Sequence, residues 1–112
     1  MSTTETLILV LTTVSTESSA KEISQKLLED GLAACIQIEK EVSSHYRWQG
    51  KLVIENECRL AIKSIDSRWK SLRKSLEECH PYEIPEIIKV NIDDCSDDYR
   101  QWIVSQMTQA YA

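Results

Sequence analysis

Hydrophobic and polar positions divide the chain into seven segments of distinct periodicity. The first is the continuous apolar and β-branched run Leu7–Val14, which predicts a strand buried on both faces. Several N-cap candidates follow at residues 15–19, and Gly31 stands where a C′ residue would end a helix. Between them, four apolar residues at helical spacing predict one buried helix face: Ala20, Ile23, Leu27 and Leu28.

Alternation of apolar and polar positions marks the next two segments. From residue 34 to residue 48 the even positions are mostly apolar and the odd positions polar, and the same parity resumes from Leu52 to residue 63. Because side chains alternate between faces with period two, this parity predicts a three-residue loop that pairs Trp48 with Leu52 and holds Gly50 in the left-handed region. A compensating bulge would give the same placement.

The three-residue loop also predicts particular neighbours across the hairpin. Glu41 is expected opposite Arg59, and His45 opposite Glu55, which are favourable charge pairs.

The last three segments are two helices and a strand. Asp66 or Ser67 is expected to cap a helix with the apolar stripe Trp69, Leu72, Leu76 and Cys79. A strand at residues 86–92 follows. A final helix from Asp97 to about Ala110 is expected to bury four apolar side chains: Tyr99, Trp102, Ile103 and Met107.

The order β-α-β-β-α-β with a C-terminal helix predicts an α+β, ferredoxin-like domain that spans residues 1–112. Its second and third strands form an extended hairpin that is much longer than the remaining strands. Because such a ribbon overhangs the sheet and has unpaired edges, we expect it to pair with another subunit.

Composition excludes several classes of protein. A formal net charge of −5 argues against nucleic-acid binding, and no segment has the length and apolarity of a membrane span. Without a basic and apolar leader, we expect a cytoplasmic protein whose four cysteines are reduced. The hairpin parity places Cys35 and Cys58 on opposite faces, so no disulfide is expected between them.

The candidate chemistry centres on residues 78–86, a loop that contains both prolines of the chain. Cys79 and His80 are adjacent soft ligands that suit copper or zinc. Cys79 also completes a helix stripe, which favours a core position, and His80 is therefore the better candidate for a metal ligand.

Other polar groups favour structural roles. His45 is expected in an ion pair sooner than in a metal site, and the aspartates at residues 93–98 lack the spacing of a calcium loop. Glu55, Glu57 and Lys63 share one face, where either acid–base chemistry or solvated charge is open. Since no catalytic triad, phosphate loop or dinucleotide motif occurs, we expect no enzyme.

Four motifs together resemble the CutA divalent-cation-tolerance family. They are GLAACI at residues 31–36, YRWQGK at residues 46–51, ENE at residues 55–57 with Lys63, and HPYEIPE at residues 80–86. The similarity extends from Leu7 to Trp102, where the segment YRQW at residues 99–102 also matches.

The resemblance implies a homotrimer joined through the long hairpins, similar in architecture to PII signalling proteins. It implies tolerance of divalent cations, binding of Cu(II) or a similar ion, and no organic cofactor. It also implies that the clefts between subunits are formed by six residues besides His80: Cys35, Trp48, Glu57, Lys63, Tyr82 and Glu86. Where many members have a second histidine, this chain has Cys79.

Three hypotheses follow from these observations. The first is a trimeric protein that binds a divalent cation through His80. The second is a PII-like regulatory module that holds a small anionic ligand near Lys63. The third is a trimeric scaffold for protein partners.

Overall fold

The computed structural model describes residues 5–109. The strands are β1 (Leu7–Val14), β2 (Cys35–Trp48), β3 (Lys51–Ile65) and β4 (Ile88–Ile92), and the helices are α1 (Glu17–Glu29), α2 (Trp69–Cys79) and α3 (Asp97–Gln109). A 3₁₀ turn, Asp66–Arg68, precedes α2. The predicted element order is confirmed.

The four strands form one antiparallel sheet in the order β2-β3-β1-β4. Side chains from α1 and α2 pack with one face of this sheet in the larger hydrophobic core, which includes Ile8, Val10, Leu60 and Leu72. The α+β, ferredoxin-like prediction is therefore confirmed. Between residues 5 and 109, none of the helices has the length and apolarity needed to cross a membrane.

Among residues 5–109, the second face of the sheet is covered at one end only. Leu7 and Ile65 pack there against Ile103 and Met107 of α3. Further along the same face, four apolar side chains remain half-buried or exposed: Leu9, Leu11, Ile88 and Val90. We name these four residues the open apolar face. The predicted burial of β1 on both faces is thus incomplete within one chain.

Both ends of α1 are capped by the predicted types of residue. The Thr16 side chain accepts a hydrogen bond from the Ser19 N–H (3.0 Å). At the other end, Gly31 has φ +74°, and the Leu32 N–H bonds to the Leu27 carbonyl (2.9 Å). The predicted helix face was wrong in one respect, because Leu28 is exposed.

The starts of α2 and β4 differ from the sequence-based boundaries. Neither Asp66 nor Ser67 caps α2, because both lie in the preceding 3₁₀ turn, where Asp66 pairs with Lys89 (2.8 Å). β4 begins at Ile88, two residues later than predicted.

In α3, Ile103 and Met107 are buried as expected, whereas Trp102 is exposed. The predicted helix end at Ala110 lies outside the described residues.

The hairpin between β2 and β3 has a different register from the predicted one. Its loop has two residues, Gln49 and Gly50, with φ +51° and +79°, and Trp48 pairs with Lys51 instead of Leu52. As a consequence His45 lies opposite Ile54, and the predicted His45–Glu55 pair was wrong.

Farther from the turn, a β-bulge restores the pairing of even-numbered with even-numbered positions. The register shifts between Glu39 and Val42, and Glu41 takes up the extra residue with φ +58°. Arg59 therefore lies opposite Glu39, to which its guanidinium donates at 2.8 and 3.0 Å, and the predicted Glu41–Arg59 pair was wrong. A compensating bulge was the alternative that the parity left open.

The hairpin accounts for the elongated shape of the chain, whose longest dimension is 51 Å. β2 and β3 contain 14 and 15 residues, against 8 in β1 and 5 in β4. Apolar side chains remain exposed on the overhanging part, with Leu52 at 78% and Ile54 at 67%. All four cysteines are free, as predicted.

One buried hydroxyl offers a test of the packing of α2. The Ser75 Oγ is buried on this helix and has no hydrogen-bond partner among the described atoms. We expect Ser75→Ala to stabilise the fold by about 1 kcal/mol, because alanine has the higher helix propensity and no hydroxyl to desolvate. Urea denaturation measures the change. Ser71→Ala, at an exposed position of the same helix, reports the propensity contribution alone, and an equal gain in both variants would contradict the assignment.

Candidate functional site

A groove of about 870 Å³ lies between the overhanging part of the hairpin and the proline-containing loop. Its lining comes from β1, from the hairpin and from the loop: Thr13, Ser44, His45, Tyr46, Trp48, Val53, Glu55, Glu57, Pro81, Tyr82, Glu83, Ile84 and Glu86. This volume is within the range of small-molecule sites.

The register of the hairpin determines which side chains face the groove. Because Tyr46 pairs with Val53 and Val42 pairs with Glu57, two aromatic rings and two carboxylates share one face of the ribbon: Tyr46, Trp48, Glu55 and Glu57. Leu52 and Ile54 lie on the opposite face. The groove therefore combines aromatic surface with negative charge.

Glu57 and Tyr82 connect the hairpin to the loop. The Tyr82 hydroxyl donates to Glu57 Oε2 at 2.5 Å, and Glu57 is only 8% exposed. Burial, together with this hydrogen bond, raises the pKa of Tyr82 well above 10. The phenol therefore stays protonated at neutral pH and keeps its role as a donor.

A second tyrosine–carboxylate pair lies next to the first. The Tyr46 hydroxyl donates to Glu55, which is two residues from Glu57 on the same strand. The hydrogen bond to Glu55 raises the pKa of Tyr46 to about 12. Each carboxylate is thus oriented by a neutral donor, and its negative charge is not compensated by that donor.

His80 is buried beneath the loop. Its Nδ1 accepts a hydrogen bond from the Tyr82 backbone N–H (3.1 Å), so in the neutral ring the proton is on Nε2. Nε2 then donates to the Thr13 carbonyl (3.0 Å) and lies 3.0 Å from Thr12 Oγ1. Burial lowers the pKa of His80 below its usual 6.5. The better candidate for a metal ligand is thus buried, and both of its ring nitrogens already have partners.

Cys79 and His80 have different surroundings. Cys79 packs against the larger core and lines a separate pocket with Glu22 and Lys26 of α1, as the helix stripe predicted. Burial raises the pKa of the Cys79 thiol. Among residues 5–109, no group of three or more His, Cys, Asp or Glu side chains is arranged to hold a metal ion.

Four of the six cleft residues implied by the resemblance line the groove: Trp48, Glu57, Tyr82 and Glu86. Cys35 and Lys63 do not. They pair with each other across β2 and β3, where the Lys63 ammonium donates to Gln37 (2.9 Å) and lies over the Tyr99 ring. Lys63 is six residues from Glu57, or about 20 Å along the strand.

Sequence reasoning missed four groove residues: Thr13, Ser44, Tyr46 and Val53. A two-residue loop at Gln49-Gly50 places Tyr46 and Val53 on the face of Glu55. Glycine after a polar residue is a common signal for such a turn and could have indicated this register. No local sequence signal indicates that Thr13 lines the groove.

The charge of the groove lining is negative. It contains four glutamates (Glu55, Glu57, Glu83 and Glu86), one histidine, and neither lysine nor arginine. Within the described part of the chain, none of these carboxylates belongs to an ion pair. Such a lining favours a cation as ligand.

Comparison with known proteins identifies the family. The family model for the CutA1 divalent ion tolerance protein matches residues 8–106. The divalent-cation tolerance protein CutA of Pyrococcus horikoshii is 32% identical over 100 residues, which cover 89% of this chain and 97% of that protein.

Two solved structures have the same fold. CutA from Synechococcus elongatus superposes with a TM-score of 0.88 at 38% identity, covering 92% of this chain and 91% of that one. The Archaeoglobus fulgidus protein, described as a periplasmic divalent cation tolerance protein CutA, gives 0.86 at 25% identity, covering 90% and 98%. These proteins are named for cation tolerance and not for a catalytic activity. The chain belongs to the CutA1 divalent ion tolerance protein family.

Proposed function

We propose that the protein is a homotrimer that binds divalent cations, including Cu(II), in the groove between the hairpin and the loop. The observation that carries the proposal is the buried carboxylate of Glu57, which faces a groove without lysine or arginine. A desolvated carboxylate without a cationic partner favours the binding of a cation.

The assembly is supported by apolar surface that one chain leaves uncovered. The open apolar face and the exposed leucine and isoleucine of the hairpin would both be buried between subunits. Glu57 and Thr13 are on the same face of the sheet as Leu9 and Leu11, so the groove adjoins this surface. In the proposed trimer the groove becomes a cleft between neighbouring subunits.

Trimer formation would also complete the coordination of the ion. One chain offers the carboxylates of Glu55 and Glu57, and the remaining ligands would be water or groups of the neighbouring subunit. Ligation by His80 stays a prediction from the sequence. It requires the loss of a hydrogen bond at Nδ1 or Nε2.

Calorimetric titration of the metal-free protein with Cu(II) tests the site. We expect saturable binding that weakens at least tenfold in Glu57→Gln, because the amide removes the charge at nearly constant shape. Glu29→Gln, an exposed position on α1, is the matched control and should bind like the wild type. Equal binding by Glu57→Gln and the wild type would contradict the proposed location.

The other functions expected from the sequence have less support. A small anionic ligand would meet four carboxylates in the groove, and Lys63 of the same chain is too distant to offset them. The exposed apolar surface is expected for a scaffold as well as for a homotrimer, so it does not favour a foreign partner over a second copy of this chain.

We propose a cytoplasmic location because four free cysteines suit a reducing compartment.

A further inference from the structure

The walls of the groove are more apolar and aromatic than an inorganic ion requires. Tyr46 and Trp48 extend from the hairpin and Tyr82 from the loop, while Val53 and Ile84 add aliphatic surface. Trp48 and Ile84 are both well exposed in one chain. A hydrated metal ion gains little from such surface, whereas hydrocarbon does.

The carboxylates are distributed along the groove. Glu55 and Glu57 are two residues apart on one face of β3, or about 7 Å along the strand. Glu83 and Glu86 lie on the loop side. This arrangement accords with the lack of a three-ligand cluster in residues 5–109 and suits a ligand with separated positive charges.

We propose that the groove binds a linear organic diamine or polyamine cation. The inference rests on the proposed function, since both assign a cation to this groove. The ammonium groups pair with Glu55 and Glu57, and the connecting methylene chain lies against Trp48 and Tyr46. Aromatic faces attract ammonium groups, and carboxylates that are partly shielded from water bind them more strongly than exposed ones do.

The two tyrosine hydroxyls prepare the carboxylates for such a ligand. Tyr46 donates to Glu55 and Tyr82 donates to Glu57, and both phenols stay protonated at neutral pH. Each carboxylate retains further lone pairs for an ammonium donor. The acceptors are therefore held in position before the ligand arrives, which reduces the entropic cost of binding.

Calorimetry of the full-length, metal-free protein with 1,5-diaminopentane tests the inference. Three analogues of the same chain length separate the contributions: pentylamine has one charge, 1,5-pentanediol none, and glutarate two negative charges. We expect the diamine to bind at least tenfold more tightly than pentylamine, and the diol and glutarate to give no saturable heat. Absence of saturable diamine binding up to about 10 mM, or equal binding of the diol, would overturn the inference.

Variants then locate the site. Glu57→Gln should weaken diamine binding about tenfold, and Trp48→Leu, which keeps apolar surface but removes the aromatic face, about threefold. Glu29→Gln should bind like the wild type. If neither groove variant changes the affinity, the diamine binds elsewhere and the inference is wrong. Should Glu57→Gln unfold, which circular dichroism detects, Glu55→Gln at an exposed position takes its place.

The result is separable from that of the metal titration. Cu(II) binding without diamine binding overturns the inference and leaves the proposed function intact. Diamine binding without Cu(II) binding supports the inference and refutes the proposed metal ligand.

Discussion

Val90→Lys is expected to convert the proposed trimer into folded monomers. Val90 is 43% exposed in one chain and lies on the open apolar face beside Leu9. In a monomer, a lysine at this position reaches water at little cost. In the trimer three lysines would be desolvated without partners, at a cost of several kcal/mol for each buried charge. Light scattering at micromolar concentration measures the mass, and circular dichroism confirms that the chain remains folded.

Leu28 provides a matched control for this substitution. It is 42% exposed, nearly the same as Val90, but lies on α1, away from the open apolar face. Leu28→Lys should keep the mass of the wild type, and a lysine near the C-terminal end of a helix interacts favourably with the helix dipole. Loss of the trimer in both variants, or in neither, would contradict the interface.

His80→Ala is expected to destabilise the fold by about 2–4 kcal/mol. The ring joins the loop to β1 through hydrogen bonds with the Thr13 carbonyl and the Tyr82 N–H. Truncation would leave these buried groups without partners and open a cavity beneath the loop. Chemical denaturation measures the loss, and His80→Gln, which retains a donor and an acceptor, should recover part of it.

The same histidine should make stability depend on pH. Because burial lowers the pKa of His80 in the folded chain, the unfolded chain binds more protons below pH 6.5. Stability is therefore unaffected by this group above pH 6.5 and falls as the pH decreases from there toward the folded pKa. The Glu17 carboxyl, whose pKa Lys21 lowers from 4.5, contributes at a lower pH. In His80→Gln the decline between pH 6.5 and the carboxylate range should disappear, and an unchanged decline would refute this origin.

The sequence predicted the element order because period-2 and period-3.6 patterns report directly on burial. The end of α1 was also predictable, since Gly31 occupies a left-handed conformation that favours glycine. The hairpin register was not. The parity of Trp48 and Leu52 suggested one continuous apolar face, whereas the ribbon uses a two-residue turn and a bulge at Glu41. A non-glycine residue with positive φ leaves no clear mark in the sequence.

The burial of His80 was unpredictable for another reason. Its neighbours are residues 12 and 13, almost seventy positions earlier, so docking of the loop on β1 decides its environment. The family motifs identified four of the groove residues: Trp48, Glu57, Tyr82 and Glu86. Lys63 lies outside the groove because it is too far from Glu57 along β3. That negative charge and aromatic rings share the groove could not be predicted from the sequence, because it depends on the register of the hairpin.

Native mass spectrometry of the metal-free, full-length protein during titration with Cu(II) tests the central claim most directly, because one spectrum reports both assembly and ion binding. The account predicts a species of three times the mass of one chain that takes up as many as three copper ions. A monomer, or a trimer to which no copper adds, would contradict it.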